Sequence, residues 1–323
     1  MATTSIPDYV PPRWLVGRHL QTLWPVFLPR PRVAYRRERW ELPDGDFLDL
    51  DWIDGPADAP LVALFHGLEG SSHSHYARAL MAAVKGRGWR GVVVHFRGCS
   101  GTPNRLPRAY FAGDSTEIGH ILGRLRERNG SAPLFATGVS LGGNALLKWL
   151  GEQGDSATEI VARAAGISAP LDLAAAGAAL DEGFTRIYTA RFLKTLKSKA
   201  MEKLERFPGL YDGEKLAAVR TIRAYDDLVT APLHGYKDAD DYWRRCASKP
   251  FLAQIRVPTL VLNARNDPFM PAHVLPRADE VSDDVTLDLP DQGGHVGFVT
   301  GPFPGNPNWL PKRVLDFLSA TPP

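Results

Sequence analysis

Two rhythms of apolar and polar positions alternate along this chain. Short, almost wholly apolar runs recur at residues 60–65, 91–96, 133–137, 160–167 and 257–264. Runs of that length, bounded by glycine, proline or aspartate, predict strands buried on both faces. Between them apolar residues return every three or four positions. That spacing predicts helices over 74–85, 117–128 and 311–320, and another running from Gly143 through Leu150. Residues 285–289 alternate and add a strand. Near the start, 38–42 and 47–53 predict a hairpin about Pro43-Asp44-Gly45-Asp46. Strand alternating with helix predicts a mostly parallel sheet of eight strands, covered by helices on both faces.

One stretch breaks the rhythm. From 171 to 255 no strand is predicted. Phe184, Ile187, Phe192, Leu196 and Leu204 fall near helical spacing, and Lys194, Lys197, Lys199 and Lys203 are expected on other faces. The predicted organisation is a core of residues 1–170 and 256–323, with an N-terminal strap at 1–37 and a helical lid inserted at 171–255. The strap is rich in Trp, His and Gln between Trp14 and Trp24. It is expected to pack on the sheet or lid, with His19 and Gln21 hydrogen-bonded.

The most informative residues stand where the 133–137 strand meets the next helix. Gly138-Val139-Ser140-Leu141-Gly142 is a Gly-x-Ser-x-Gly turn between strand and helix, the signature of a nucleophile elbow. The turn is too sharp for side chains two positions either way, so glycine stands there. Ser140 is held clear of the sheet at a helix start, where N–H groups favour developing negative charge. Such a serine needs a base and an acid, and both follow in order. Asp267 sits beside Pro268, just past the 257–264 strand, where parallel sheets build their sites. His295 sits in Gly293-Gly294-His295-Val296-Gly297, after the 285–289 strand. His295 is the expected general base and Asp267 the group that fixes its tautomer. Asp291 and Asp283 are the alternative acids. The expected oxyanion donors are the backbone N–H groups of Leu141 and of Leu68, in the loop His66-Gly67-Leu68-Glu69-Gly70-Ser71-Ser72. The His66 side chain is read as structural. Arg97 and Asp114 are expected to pair beneath the site.

Composition narrows the rest. The chain has 323 residues, 44% hydrophobic and 23% charged, with a formal charge of +2. No concentrated basic tract suggests nucleic acid. Cys99 and Cys246 form no metal or redox motif, and a reduced pair points to the cytoplasm. Residues 1–12 carry no basic side chain and no apolar core, so no leader is expected. The early apolar run 24–29 is too short to span a bilayer. The His73/His75 pair lacks further ligands, so neither metal nor organic cofactor is expected.

The sequence resembles the YheT-like branch of α/β-hydrolases, the AB-hydrolase-4 family, along nearly its whole length. The resemblance rests on Pro11-Pro12-Arg13-Trp14-Leu15 with Gly17-Arg18-His19-Leu20-Gln21-Thr22-Leu23, on the His66–Ser72 loop, on Phe96-Arg97-Gly98-Cys99-Ser100-Gly101, and on Thr137 through Asn144. Ala264-Arg265-Asn266-Asp267-Pro268 and the Gly293–Gly297 loop complete it. It implies the α/β-hydrolase fold and a triad of Ser140, Asp267 and His295. The family holds esterases, acyltransferases and acylglycerol lipases. The expected activity is therefore hydrolysis of short- to medium-chain carboxylic esters, with acyl transfer to an alcohol and a non-catalytic binding role as alternatives. The expected partner is a small ester with an apolar acyl chain.

Overall fold

The computed structural model describes residues 8–320. Most of the 1–12 stretch read as carrying no leader, and the first seven residues of the strap, lie outside the described residues. Eight strands form one sheet: β1 (Arg36–Glu41), β2 (Phe47–Ile53), β3 (Leu61–Phe65), β4 (Arg90–Val94), β5 (Leu134–Val139), β6 (Arg163–Ile167), β7 (Thr259–Leu262) and β8 (Val285–Asp288). Their order is β1-β2-β4-β3-β5-β6-β7-β8. Only β2 runs antiparallel to its neighbours; every pair from β4 to β8 is parallel. The expected α/β-hydrolase architecture is the one observed.

The sheet's two faces explain the apolar runs. Along β3, Leu61, Ala63 and Phe65 join the core on one face, while Val62 and Leu64 join the core on the other. A strand buried on both sides has no polar position to spare. The helices are α1 (Arg18–Phe27), α2 (His75–Gly86), α3 (Ser115–Asn129), α4 (Leu141–Gln153), α5 (Leu173–Leu180), α6 (Arg186–Arg206), α7 (Gly213–Ala218), α8 (Ile222–Tyr225), α9 (Ala231–Leu233), α10 (Ala239–Cys246) and α11 (Trp309–Ser319). α3 and α4 supply Ile118, Ile121, Leu122, Leu146 and Leu150 to the first face. α2 and α11 supply Leu80, Met81, Val84, Val314 and Leu315 to the second. Parallel register aligns strand ends: Phe65 pairs with Gly138, Val139 with Ile167, and Leu262 with both Ile167 and Asp288. The loops that follow these strands therefore share one edge of the sheet.

Two expectations need correcting, and one element was not predicted at all. The strap holds a helix, α1, despite Pro25 inside it; Leu20, Leu23, Trp24 and Phe27 stand at helical spacing, which the composition of the strap masked. Residues 160–162 are not strand: a 3-10 turn (Gly154–Glu159) precedes them, and β6 begins at Arg163. In the helical insertion after β6, Phe184 lies just ahead of α6, and both it (51%) and Ile187 (60%) are exposed. Tyr188, Thr189, Leu193 and Ala200 are the buried residues of α6 instead, and Lys199 and Lys203 share the face of Phe192 and Leu196 rather than another one.

Candidate active site

Ser140 has φ 53° and ψ −122°, the left-handed backbone that few side chains adopt. The flanking glycines are forced by contact. A Cβ on Gly138 would stand 2.4 Å from the Gly142 carbonyl oxygen, and one on Gly142 would stand 2.5 Å from the oxygens of Phe65 and His66. Ser140 N–H donates to the Ile167 carbonyl (2.8 Å), tying the elbow to β6.

The structure brings the three sequence-predicted side chains into line. His295 Nε2 lies 3.0 Å from Ser140 Oγ, and His295 Nδ1 lies 2.8 Å from Asp267 Oδ2. The other Asp267 oxygen accepts from Phe269 N–H (2.8 Å), so the carboxylate is held at both oxygens. Asp267 is buried, the His295 side chain is 13% exposed, and the Phe269 ring sits 4.3 Å from the imidazole. Among the described residues Asp291 pairs with Arg265 alone, at 3.6 Å, and Asp283 is exposed.

Leu68 and Leu141 line the same cavity as Ser140 and His295. Among the described residues, neither backbone N–H has an acceptor. Around Leu68 every neighbour is committed. Gly67 N–H donates to Tyr76 Oη, Gly70 N–H to the Gly67 carbonyl, and Glu69 N–H to Tyr110 Oη. Glu69 has φ 54°, held by Tyr110 Oη donating back to its carboxylate (2.8 Å). His66 Nε2 accepts from Phe96 N–H (3.1 Å) and Nδ1 donates to the Gly67 carbonyl (2.8 Å). Burial pushes that imidazole down to about 3, so it is a neutral brace and no base.

The strap contributes residues the sequence did not assign to this site. Gln21 Oε1 accepts from Asn266 Nδ2 (2.9 Å) and Gly293 N–H (3.0 Å), joining the loops of Asp267 and His295. Thr22 Oγ1 accepts from His295 N–H (2.9 Å) and donates to the Arg18 carbonyl. The available signals were the expectation that Gln21 is hydrogen-bonded and the place of Gln21-Thr22 in the stretch that carries the family resemblance. His19 Nδ1 lies 3.3 Å from Tyr188 Oη on α6.

The expected Arg97–Asp114 pair does not form. Arg97 donates to Glu117 (2.6 Å) and pairs with Asp46 (3.1 Å) and Asp44 (2.8 Å). Asp114 is occupied elsewhere: it caps α3 by accepting from Glu117 N–H and takes Arg108 at 2.5 Å. His73 and His75 also diverge, toward Arg78 and the Val296 carbonyl respectively. Among the described residues no cluster of His, Cys, Asp and Glu could hold a metal, and no helix is long and apolar enough to cross a membrane.

The cavity measures about 310 Å³ and runs between the sheet edge and the helical insertion. Leu173, Leu180, Leu196, Val229 and Trp243 make its apolar wall. Asn144 binds the insertion's exit to the elbow helix, donating to the Cys246 carbonyl and accepting from Ser248 N–H.

Comparison with known proteins agrees with this architecture. The alpha/beta hydrolase fold model matches residues 60–302. The Escherichia coli (strain K12) protein named "Putative esterase YheT" is 42% identical, over 98% of this chain and 94% of its own. Human phospholipase ABHD3 is 29% identical, over 97% of this chain and 78% of its own. The solved Pyrococcus furiosus esterase Pf2001 superposes with a TM-score of 0.55 at 17% identity, covering 90% of this chain and 96% of that one, which speaks to fold alone. Sheet order, elbow and close relatives converge: the chain belongs to the α/β-hydrolase family, in its YheT-like branch.

Proposed function

We propose that this protein hydrolyses carboxylic esters through an acyl-enzyme on Ser140. The observation that carries the reading is the unbroken line from Ser140 Oγ through His295 to Asp267, at the wall of a largely apolar cavity. A serine hydroxyl at its ordinary pKa needs a base within reach. His295 takes the proton as Oγ attacks the ester carbonyl carbon. The carbonyl oxygen becomes an oxyanion facing the N–H groups of Leu68 and Leu141, each worth about 3 kcal/mol to the transition state. The acyl C–O bond then breaks and His295 protonates the departing alkoxide. Water, deprotonated by His295, attacks the acyl-serine; the acid leaves and Ser140 regains its proton. Asp267 holds the imidazole with Nδ1 protonated throughout.

Residues 171–255 act as a lid that excludes water and walls the acyl chain. The apolar lining favours short- to medium-chain acyl esters, acylglycerols among them, and the relatives named as an esterase and a phospholipase fit that class. No metal or cofactor enters the cycle. Labelling with a fluorophosphonate tests the chemistry, and a p-nitrophenyl ester series from acetate to laurate reads the pocket depth. A label recovered on the Ser140 peptide is expected; an unlabelled, folded protein overturns the reading. Adding ethanol separates hydrolysis from acyl transfer. Ethyl ester formed well above ethanol's mole fraction would make the protein a transferase.

A further inference from the structure

The face of α6 turned to the cavity changes character along its length. Phe192, Leu196, Lys199, Lys203 and Arg206 all line the cavity. Their spacing of four and three places them on one helix face. At 1.5 Å per residue, Lys199 stands about 10 Å and Lys203 about 16 Å along the axis from Phe192. The apolar end is the one beside the chemistry. The Phe192 ring lies 6.3 Å from Phe269, whose ring touches His295. The cationic end is remote from it.

Counter-charges separate these cations. Lys199 is answered by Glu69 (2.9 Å). Lys203 and Arg206 are not. Lys203 Nζ donates to the Arg108 carbonyl (2.6 Å), and Arg206 to the carbonyls of Asn104 (2.6 Å) and Arg105 (3.4 Å). Neither forms an ion pair with a described carboxylate. Asp46 and Glu202 favour the Lys203 ammonium from a distance, but burial outweighs them and pulls it down to about 8. The same surroundings act on His234, which burial first, and then Arg108, Lys203 and Arg97, push down to about 4. A half-buried ammonium on a cavity wall without a counter-ion is costly, and a bound anion would remove the cost.

We propose that this end of the cavity is a subsite for an anionic group, phosphate or carboxylate, so that preferred substrates are esters bearing a negative charge on the order of 10 Å from the reacting carbonyl, the axial offset of Lys203 less the reach of a long side chain that leans toward the helix N-terminus. The proposal rests on the ester-hydrolase reading and deepens it by naming the substrate class. Phe192 and Leu196 flank the chain between the two ends, while Lys203 and Arg206 receive the charge.

Two substrate pairs test it on the wild-type protein. The first is p-nitrophenyl octanoate against mono-p-nitrophenyl octanedioate, which differ by a carboxylate at the far end of the acyl chain. The second is 1-octanoylglycerol against its 3-phosphate. At least one anionic member is expected to show about tenfold higher kcat/KM, mainly through KM, with the advantage shrinking at high salt. The responding pair tells whether the charge rides on the acyl chain or the alcohol. Lys203→Met and the exposed Arg206→Met are expected to lower that ratio toward one, and Lys203→Arg to keep it. A ratio at or below one in both pairs, or an advantage that neither methionine variant moves, overturns the proposal. Calorimetric titration with octyl phosphate gives a readout free of turnover, with Lys203→Met expected to weaken binding at least tenfold. Binding without hydrolysis of any ester would sink the hydrolase reading and keep the subsite; hydrolysis of the neutral esters without anion preference or octyl phosphate binding would do the reverse.

Discussion

Among the described residues two sets of serine, histidine and aspartate lie within hydrogen-bond distance, and they are wired differently. In one, Ser140 reaches His295 and His295 reaches Asp267, a chain with the hydroxyl at its end. In the other, Ser72 Oγ (2.6 Å) and His95 Nε2 (2.9 Å) both point at Asp51, which Arg37 also grips at 2.7 and 2.9 Å. This second set is a star centred on the acid, and its serine proton goes to a carboxylate that cannot serve as a strong base. Burial alone would push the Asp51 carboxyl up, but the hydrogen bonds from His95, Arg37 and Ser72 outweigh it and hold it well below the usual carboxylate range. None of the three lines the cavity. The star instead pins β1, β2, the end of the Leu68 loop and the residue after β4 to one another. The order of the bonds and access to a cavity, more than residue types, separate the set proposed to react from the one that braces.

The sharpest way to break the comparison is to remove each hydroxyl. Ser140→Ala is expected to lower p-nitrophenyl butyrate hydrolysis by on the order of 10⁵-fold or more and to abolish phosphonate labelling, with circular dichroism unchanged. Ser72→Ala is expected to keep most of the rate while costing about 2 kcal/mol in urea unfolding, the loss of a hydrogen bond to a charged acceptor. If the two variants exchanged these effects, the assignment of roles would be wrong. The acids come next. Asp267→Asn is expected to reduce kcat by roughly 10⁴-fold, because the amide favours the wrong imidazole tautomer. A rate within tenfold of wild type would pass the acid's role to another residue.

What the sequence made legible follows from how local the encoding is. Ser140, Asp267 and His295 each sit in a turn whose chemistry is written in adjacent residues: two glycines, a proline, a glycine pair. The fold was legible because doubly buried central strands such as β3 and β7 are apolar nearly throughout, although β2, buried too, carries Asp49 and Asp51. Asp114 was half readable: Asp114-x-x-Glu117 ahead of a helix marks a cap, but nothing local says that its second oxygen takes Arg108 and not Arg97. The cavity face of α6 was not legible, because which stripe of an amphipathic helix turns inward depends on what packs beside it. Gln21 and Thr22 were hidden for a different reason: their partners lie 245 to 273 residues away in the chain.

A third buried acid sharpens the contrast with Asp51. Asp226 borders the cavity and meets neutral donors, Trp243 Nε1 at 2.8 Å and Thr230, with no cation on it. Burial therefore wins, and its carboxyl is raised to about 6. The sign follows from proton binding. Folding favours the protonated form, so the stabilisation is fully present below the unfolded-state pKa of 3.8 and is lost as pH rises through about 6. Asp226→Asn keeps an acceptor for Trp243 and never ionises. It is expected to match wild type near pH 4 and to be more stable by about 2–3 kcal/mol at pH 8. Thermal melts at both pH values check this, and equal shifts at the two would show that Asp226 ionises as freely folded as unfolded.

The smallest effect probes how the two histidines are carried. His95 directly follows β4, and its N–H donates to the Asp49 carbonyl of β2, so the sheet fixes it. His295 hangs on a loop past β8, and its N–H is held by the Thr22 hydroxyl, from a helix 273 residues earlier. The loop has no sheet partner to replace that contact, and Val296 beyond it already takes φ 56°. Thr22→Val fills nearly the same volume but removes the acceptor, leaving a part-buried N–H unpaired at a cost of about 1–2 kcal/mol. Because the loop carries His295, the proposed base, and not the acyl pocket, the loss is expected mostly in kcat, about three- to tenfold, with KM for p-nitrophenyl butyrate little changed. Thr22→Ser restores the hydroxyl and is expected to recover the rate. If Thr22→Val loses stability while kcat stays at the wild-type value, the strap braces the fold only, and the base keeps its place without it.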